Sequence, residues 1–203
     1  MNEELCFIKT YNLGDIAKFT YGFTDKAADV GTVRFIRITD IDEYGCLRTT
    51  PAKYIDITKE NKDFLIEPGD LLMARTGATF GKTVSIPDGT KGIYASFLIK
   101  IQPDNSKLMN RYYWFFAQSS MYWQQANALV TTGGQPQFNA NSLAKIRISV
   151  PSIEYQKAII SVLNKFDSLC NDLSEGLPAE IEARKKQYEY YRDKLLDFKE
   201  KEA

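Results

Sequence analysis

A chain of 203 residues with 44% apolar and 13% aromatic side chains can bury one sizeable core and cannot be disordered throughout, yet it is short for two full domains. Its 26 basic and 26 acidic side chains cancel, which weighs mildly against a simple polycationic nucleic-acid binder. Histidine is absent, so Ser-His and Cys-His nucleophiles are excluded and any enzyme chemistry would fall to carboxylates or lysines.

The opening "MNEELCFIKTYN" lacks the basic start and apolar middle of a leader, and no apolar run approaches the roughly 18 to 20 residues that cross a bilayer. A cytoplasmic protein with no membrane partner is expected. Cys6, Cys46 and Cys170 stand far apart without a C-x-x-C pair, and read as small apolar groups in a reducing compartment.

Residues 1–151 carry the pattern of a mixed, mainly β unit. The stretches 33–39, 70–75, 82–87, 93–101 and 145–151 are β-branched or aromatic and are bounded by turn formers such as Pro68-Gly69 and Pro87-Asp88-Gly89. Between them, 108–127 repeats Leu108, Tyr112, Phe115, Tyr122 and Ala126 at helical spacing, which predicts one helix with an apolar, core-facing side. "TTGGQPQFNANS" (131–142) is a loop by composition, with Asn141 or Ser142 suited to cap the "LAKI" segment. Charge is segregated here: from Ser106 to Ser152 there is no acidic residue, while Lys107, Arg111, Lys145 and Arg147 are present.

From residue 152 the pattern becomes helical, so the chain as a whole reads as an α+β fold in which long, coiled-coil-like helices (152–203) follow the mainly β domain (1–151). Ile159, Val162, Phe166, Leu169 and Leu173 step by three and four, a narrow apolar seam. Gly176 and Pro178 interrupt it, and a second seam runs through Ile181, Tyr188 and Leu195, with Tyr191 and Phe198 beside it. Ile181 lies three heptads and one residue beyond Ile159, a phase slip that favours two helices over one rod. Each buried Leu or Ile gains about 1.5–3 kcal/mol, so the seams need a partner helix in this chain or another.

"RTGATFGKT" (75–83) invites comparison with a phosphate-binding loop. Only three residues separate Gly77 from Gly81, and the β-branched "KTVSIP" beyond them predicts a strand rather than the required helix. No Asn/Asp-Pro-Pro-aromatic motif marks a base-amino methyltransferase. A metal-dependent nuclease could be drawn through Asp56, Glu60 and Lys62, though they sit in a polar, surface-like run.

"PGDLLMARTGATFGKT", "ASFLIKIQPD", "GQPQFNANSLAKIRISVPSIEYQKAI" and "LNKFDSLCNDLSEGLPAEIEARKKQYEYYRDKLLDF" together resemble the specificity (S) subunit of type I restriction-modification enzymes, over nearly the whole chain. The resemblance implies a non-catalytic subunit that recognises double-stranded DNA and recruits methyltransferase (M) and restriction (R) subunits. S-adenosylmethionine, ATP and Mg2+ are then expected on those partners, and no cofactor on this chain. It further implies a target-recognition domain followed by a helical spacer. One copy of each is present, which suggests a half-length form reading one half-site of a bipartite, palindromic target as a homodimer through Ile159, Val162, Phe166, Leu169, Leu173, Ile181, Tyr188, Tyr191, Leu195 and Phe198. A non-dimerising remnant with helices folded on each other, and the stand-alone nuclease, are the alternatives. Under this resemblance the two loops face DNA. Arg75 and Lys82 suit a guanine edge and a phosphate respectively, Thr76, Thr79 and Thr132 are hydroxyl contacts, and the amides of Gln135, Gln137 and Asn139 suit adenine edges. The loop glycines would let backbone amides approach phosphates.

Overall fold

The computed structural model describes residues 8–131, 136–172 and 178–198, without side-chain placement for 168–172 and 178–181. Its strands are β1 (Lys9–Asn12), β2 (Ala17–Tyr21), β3 (Val33–Ile36), β4 (Tyr54–Ile55), β5 (Leu71–Ala74), β6 (Thr83–Ser85), β7 (Gly92–Tyr94), β8 (Leu98–Pro103) and β9 (Arg147–Val150). Its α-helices are α1 (Asn110–Ala117), α2 (Ser120–Leu129), α3 (Ala140–Leu143), α4 (Ile153–Asp172) and α5 (Pro178–Leu196). The mixed α+β class is as expected.

β5 explains the rest. Its four residues are consecutive apolar side chains, a run that fits a strand buried on both faces better than one with a wet side. Because side chains alternate, Leu71 and Met73 enter the main core with α1 and α2, while Leu72 and Ala74 enter a second core with Ile36, Ile41, Val84, Ile86 and Leu98. β8 and β6 pair antiparallel on its two sides, and β2 lies beyond β8, giving the sheet order β2-β8-β5-β6. A separate sheet, β4-β3-β7, has β3 and β7 parallel, and β1 pairs with β9 so that the two ends of residues 1–151 are held together.

Two elements divide where periodicity suggested one. The stretch 93–101 is split between sheets: the amides of Ala95 and Ser96 donate to Ile36 O (2.9 Å) and Phe23 O (2.8 Å), which turns the chain out of β7 before β8 begins. The helix expected over 108–127 breaks after Ala117, and the Ser119 hydroxyl accepts from the Tyr122 amide (3.4 Å) to start α2. Short, mixed strands β1, β2 and β4 carry too little alternation to be recognised in the sequence.

α4 and α5 are separate helices, with Pro178 in the first position of α5 as expected. They lie antiparallel, as two ring pairs establish: Tyr155 with Phe198 (6.2 Å) and Phe166 with Tyr191 (5.8 Å). Ile159, Ile160 and Leu163 of α4, and Leu196 of α5, are buried in the same cluster as α1, and Tyr188, Leu195 and Phe198 pack against it. The seam is thus covered by its own chain at this end. This corrects the expectation that Ile159 meets a second copy: at 4% exposure it is enclosed, because α4 packs against α1. Val162 (42% exposed) and Tyr191 (38%) still reach solvent, as does Tyr190 (61%). The side chains of Leu169, Leu173 and Ile181 fall outside the described residues.

Gln156 ties the helices to the domain by polar means as well. Fully buried, it accepts from the Met109 amide (2.9 Å) at the start of α1 and donates to Lys107 O and Pro151 O. One apolar cluster therefore spans residue 151. Leu163→Ala should cost about 2–5 kcal/mol. In urea, far-ultraviolet circular dichroism and tryptophan fluorescence should report one shared transition at a lower midpoint; two separated transitions would mean that the helices fold independently of the domain.

Candidate nucleic-acid interface

The loop between β5 and β6 is a tight connection, and its glycines have a conformational purpose. Gly77 and Gly81 sit at φ +68° and +78°, left-handed positions that side chains disfavour, at the ends of a 3-10 turn over Gly77–Thr79. The Gly77 amide donates to Pro136 O (3.1 Å), Gly81 to Ala74 O (2.8 Å), Phe80 to Gly77 O (3.2 Å) and Lys82 to Thr79 O (3.1 Å). The amides of the two glycines are themselves engaged within the chain, where they hold the loop in shape. The loop leads into strand β6 rather than a helix, as the sequence indicated.

The second loop is stitched to the first. Thr76 and Gln137 form an antiparallel bridge, Thr131 and Gln137 another, and the Phe138 amide donates to Arg75 O (2.8 Å). Below them, Phe80 packs edge-on against Trp123 (6.0 Å) and Phe138 (6.2 Å). Tyr122 donates its hydroxyl to Gly81 O (2.9 Å), and burial pushes that hydroxyl well above its usual pKa, so it remains a donor.

The anticipated residues divide accordingly. Thr76 is 2% exposed and braces the junction rather than facing outward. Thr79 is half-buried and its hydroxyl donates to Thr76 O (3.2 Å). Lys82 is half-buried and takes no part in an ion pair among the described residues. Gln137 is half-buried, with its backbone holding Thr131. Asn139 accepts from the Ser142 amide (3.0 Å) and so is itself the cap of α3, the role the sequence suggested for Asn141 or Ser142. Its side-chain oxygen is thereby engaged, which leaves the NH2 group as its remaining donor. Thr132 and Gln135 lie outside the described residues. Of the basic residues in the acid-free stretch, Lys107 pairs with Asp104 (3.2 Å) and Arg111 with Asp167 (2.9 Å).

Arg75 is the centre of the junction, and two neighbours escaped the sequence analysis. Its guanidinium carbon lies 5.3 Å from the ring centres of both Tyr21 and Phe97, and its Nε donates to Ser96 O (3.0 Å). Tyr21 also accepts from the Ala140 amide (3.1 Å), which fixes α3 against β2. Both rings are conspicuously open, Tyr21 at 43% and Phe97 at 51%. An exposed aromatic inside an apolar run such as "ASFLIKI" looks like core from spacing alone. Gly22 permits the approach of β2: a Cβ there would stand 2.2 Å from Ala95 O.

Asp56, Glu60 and Lys62 offer a different picture. All three are exposed, and Asp56 accepts from the Thr32 amide (3.0 Å). Among the described residues no group of three or more Cys, Asp or Glu is placed to hold a metal ion, and no helix is long and apolar enough to cross a membrane.

Residues 8–183 match the family model of the type I restriction modification DNA specificity domain. The chain belongs to that family. It is 32% identical over 200 residues to a type I restriction enzyme specificity subunit, S.HindORF215P, of Haemophilus influenzae, covering 94% of this chain and 48% of that protein. In fold it resembles the crystallised type I S subunit of M. genitalium (TM-score 0.62, 11% identity, 86% of this chain and 42% of that one). It also resembles a chain from a structural study of type I restriction-modification complex assembly (TM-score 0.65, 15% identity, 93% and 45%). The chain thus spans about half the length of these relatives. Specificity subunits of this family are non-catalytic.

The close approach at Gly22 yields a prediction. Gly22→Ala should destabilise by about 1–3 kcal/mol or more, since the obstruction is backbone that cannot rotate away. A thermal melt within about 1–2 °C of the parent would contradict this packing.

Proposed function

We propose that this chain is the sequence-reading part of a type I restriction-modification enzyme, binding one half-site of a bipartite double-stranded DNA target and leaving modification and cleavage to methyltransferase and restriction subunits. One observation carries the reading: a member of the specificity family holds, in two interlocked loops, an arginine and a lysine without ion-pair partners among the described residues, beside half-buried Gln137 and capping Asn139. Lys82 contacts phosphate, while Arg75 and Gln137 reach base edges. Thr132 and Gln135, in the same stretch of sequence, are further candidate contacts. S-adenosylmethionine, ATP and Mg2+ belong to the partner subunits in this scheme.

The second element of the proposal is a homodimer. Val162, Tyr190 and Tyr191 remain exposed on α4 and α5, and a two-fold pairing there would direct two recognition domains to an inverted repeat separated by a spacer. The helices would act as coiled-coil-like spacers. Light scattering should give a dimer at micromolar concentration, and Val162→Glu with Tyr190→Glu should convert it to monomer without lowering the melting temperature; a parent chain that is already monomeric would refute the pairing.

The roles of the loop residues separate in binding assays with the modification subunits present. Lys82→Ala should weaken binding to all duplexes alike and reduce the slope of log K against log salt by about 0.9. Gln137→Ala should alter preference at one base position. Equal loss across sequences in both variants would remove the distinction.

A further inference from the structure

We propose that Tyr21 and Phe97 are specificity-determining positioning residues, which orient the Arg75 guanidinium toward a single guanine edge. The inference rests on the DNA-recognition reading and deepens it.

Arg75 is restrained at every level. Its amide donates to Phe97 O (3.0 Å), its carbonyl accepts from Phe138 (2.8 Å), and its Nε donates to Ser96 O (3.0 Å). Tyr21 and Phe97 then bracket the guanidinium at 5.3 Å each. The terminal nitrogens engage none of the described residues in a hydrogen bond or ion pair. Those nitrogens form a planar fork, open to an outside acceptor, on a half-buried side chain that has little freedom left to lose on binding.

A planar fork matches two adjacent acceptors. In the major groove guanine supplies O6 and N7, whereas adenine offers an acceptor beside a donor, cytosine a donor, and thymine one acceptor beside a methyl group. Phosphate also accepts from arginine, but it needs no bracket, since a mobile cation serves it equally well. Tyr21 and Phe97, at 43% and 51% exposure, would moreover face the charged backbone with apolar rings. Against base edges and thymine methyl groups the same rings are well matched. The bracket therefore favours base readout.

The test uses the chain assembled with its modification subunits and a pool of random duplexes, comparing the enriched sequences for the parent, Arg75→Lys, Tyr21→Ala, Phe97→Ala and Phe97→Tyr. The parent should enrich a motif with an invariant guanine in each half-site. That position alone should become degenerate in Arg75→Lys and in both alanine variants, with about tenfold or greater loss of affinity for the parent motif, while Phe97→Tyr should keep the guanine. Thermal melting identifies correctly folded variants, and Tyr21→Ala and Phe97→Ala serve as independent checks of each other. A motif unchanged in folded Phe97→Ala and Tyr21→Ala would overturn the positioning role, and a uniform loss across all sequences in Arg75→Lys would make Arg75 a phosphate contact. If the parent enriches no sequence, the DNA-recognition reading itself falls; if it does and every position survives Arg75→Lys, only the guanine-reading role of Arg75 and its bracket falls.

Discussion

Burial of β5 on both faces is the constraint on which the candidate interface depends. A strand with core on each side cannot shift by one residue without driving Leu71 and Met73 into the space shaped for Leu72 and Ala74. The register is consequently fixed up to Ala74, and Arg75 leaves the sheet at a determined point. The turn into β8 supplies the carbonyl of Phe97 and the segment after Pro136 supplies the amide of Phe138, so the first residue outside the core is held nearly as firmly as those inside it. A site for reading sequence needs this kind of support, because discrimination between bases depends on placing donors to within a fraction of an ångström.

α1 transmits the same rigidity to the helices. Its apolar side packs on the sheet and on α4 together, and its polar groups surround that contact. Arg111 lies 4.0 Å over the Trp114 ring, donates to Asn164 (3.0 Å) and pairs with Asp167 (2.9 Å), all on or against α4. Trp114 donates to Gly45 O (3.1 Å), and the Lys185 ammonium of α5 donates to the Tyr44 hydroxyl (3.0 Å) in the same loop. Partly exposed ion pairs contribute little stability singly, so their importance here is directional: they fix how the helices leave the domain. The proposed pairing of two half-sites would use such a fixed exit.

Much of this architecture is visible in local patterns. The unbroken apolar run of β5, the step of three and four along α4, and the Gly176-Pro178 interruption each arise from side-chain periodicity and turn chemistry. The loop after β5 was recognisable as something other than a phosphate-binding loop from glycine spacing and the strand pattern behind it. The divided stretch 93–101 was not recognisable. Its composition continues through the turn, and what bends it is hydrogen bonding to Ile36 and Phe23, distant in sequence. Asn139 as the cap of α3 was missed by two residues because Asn and Ser recur at 139, 141 and 142, and only the backbone selects among them.

The sequence by itself determined the fold class, the pair of helices, the absence of histidine chemistry and the likeness to specificity subunits, because each of these depends on residue types and their spacing along the chain. Tertiary structure alone decided that the glycine amides of the first loop are engaged, that Ile159 is enclosed by its own chain, and that Tyr21 and Phe97 bracket Arg75. The reason is distance along the chain. Residues 21, 75, 97 and 138 meet because β2, β8 and β5 are neighbours in one sheet, and strand order is set by the summed burial of two cores rather than by any local signal.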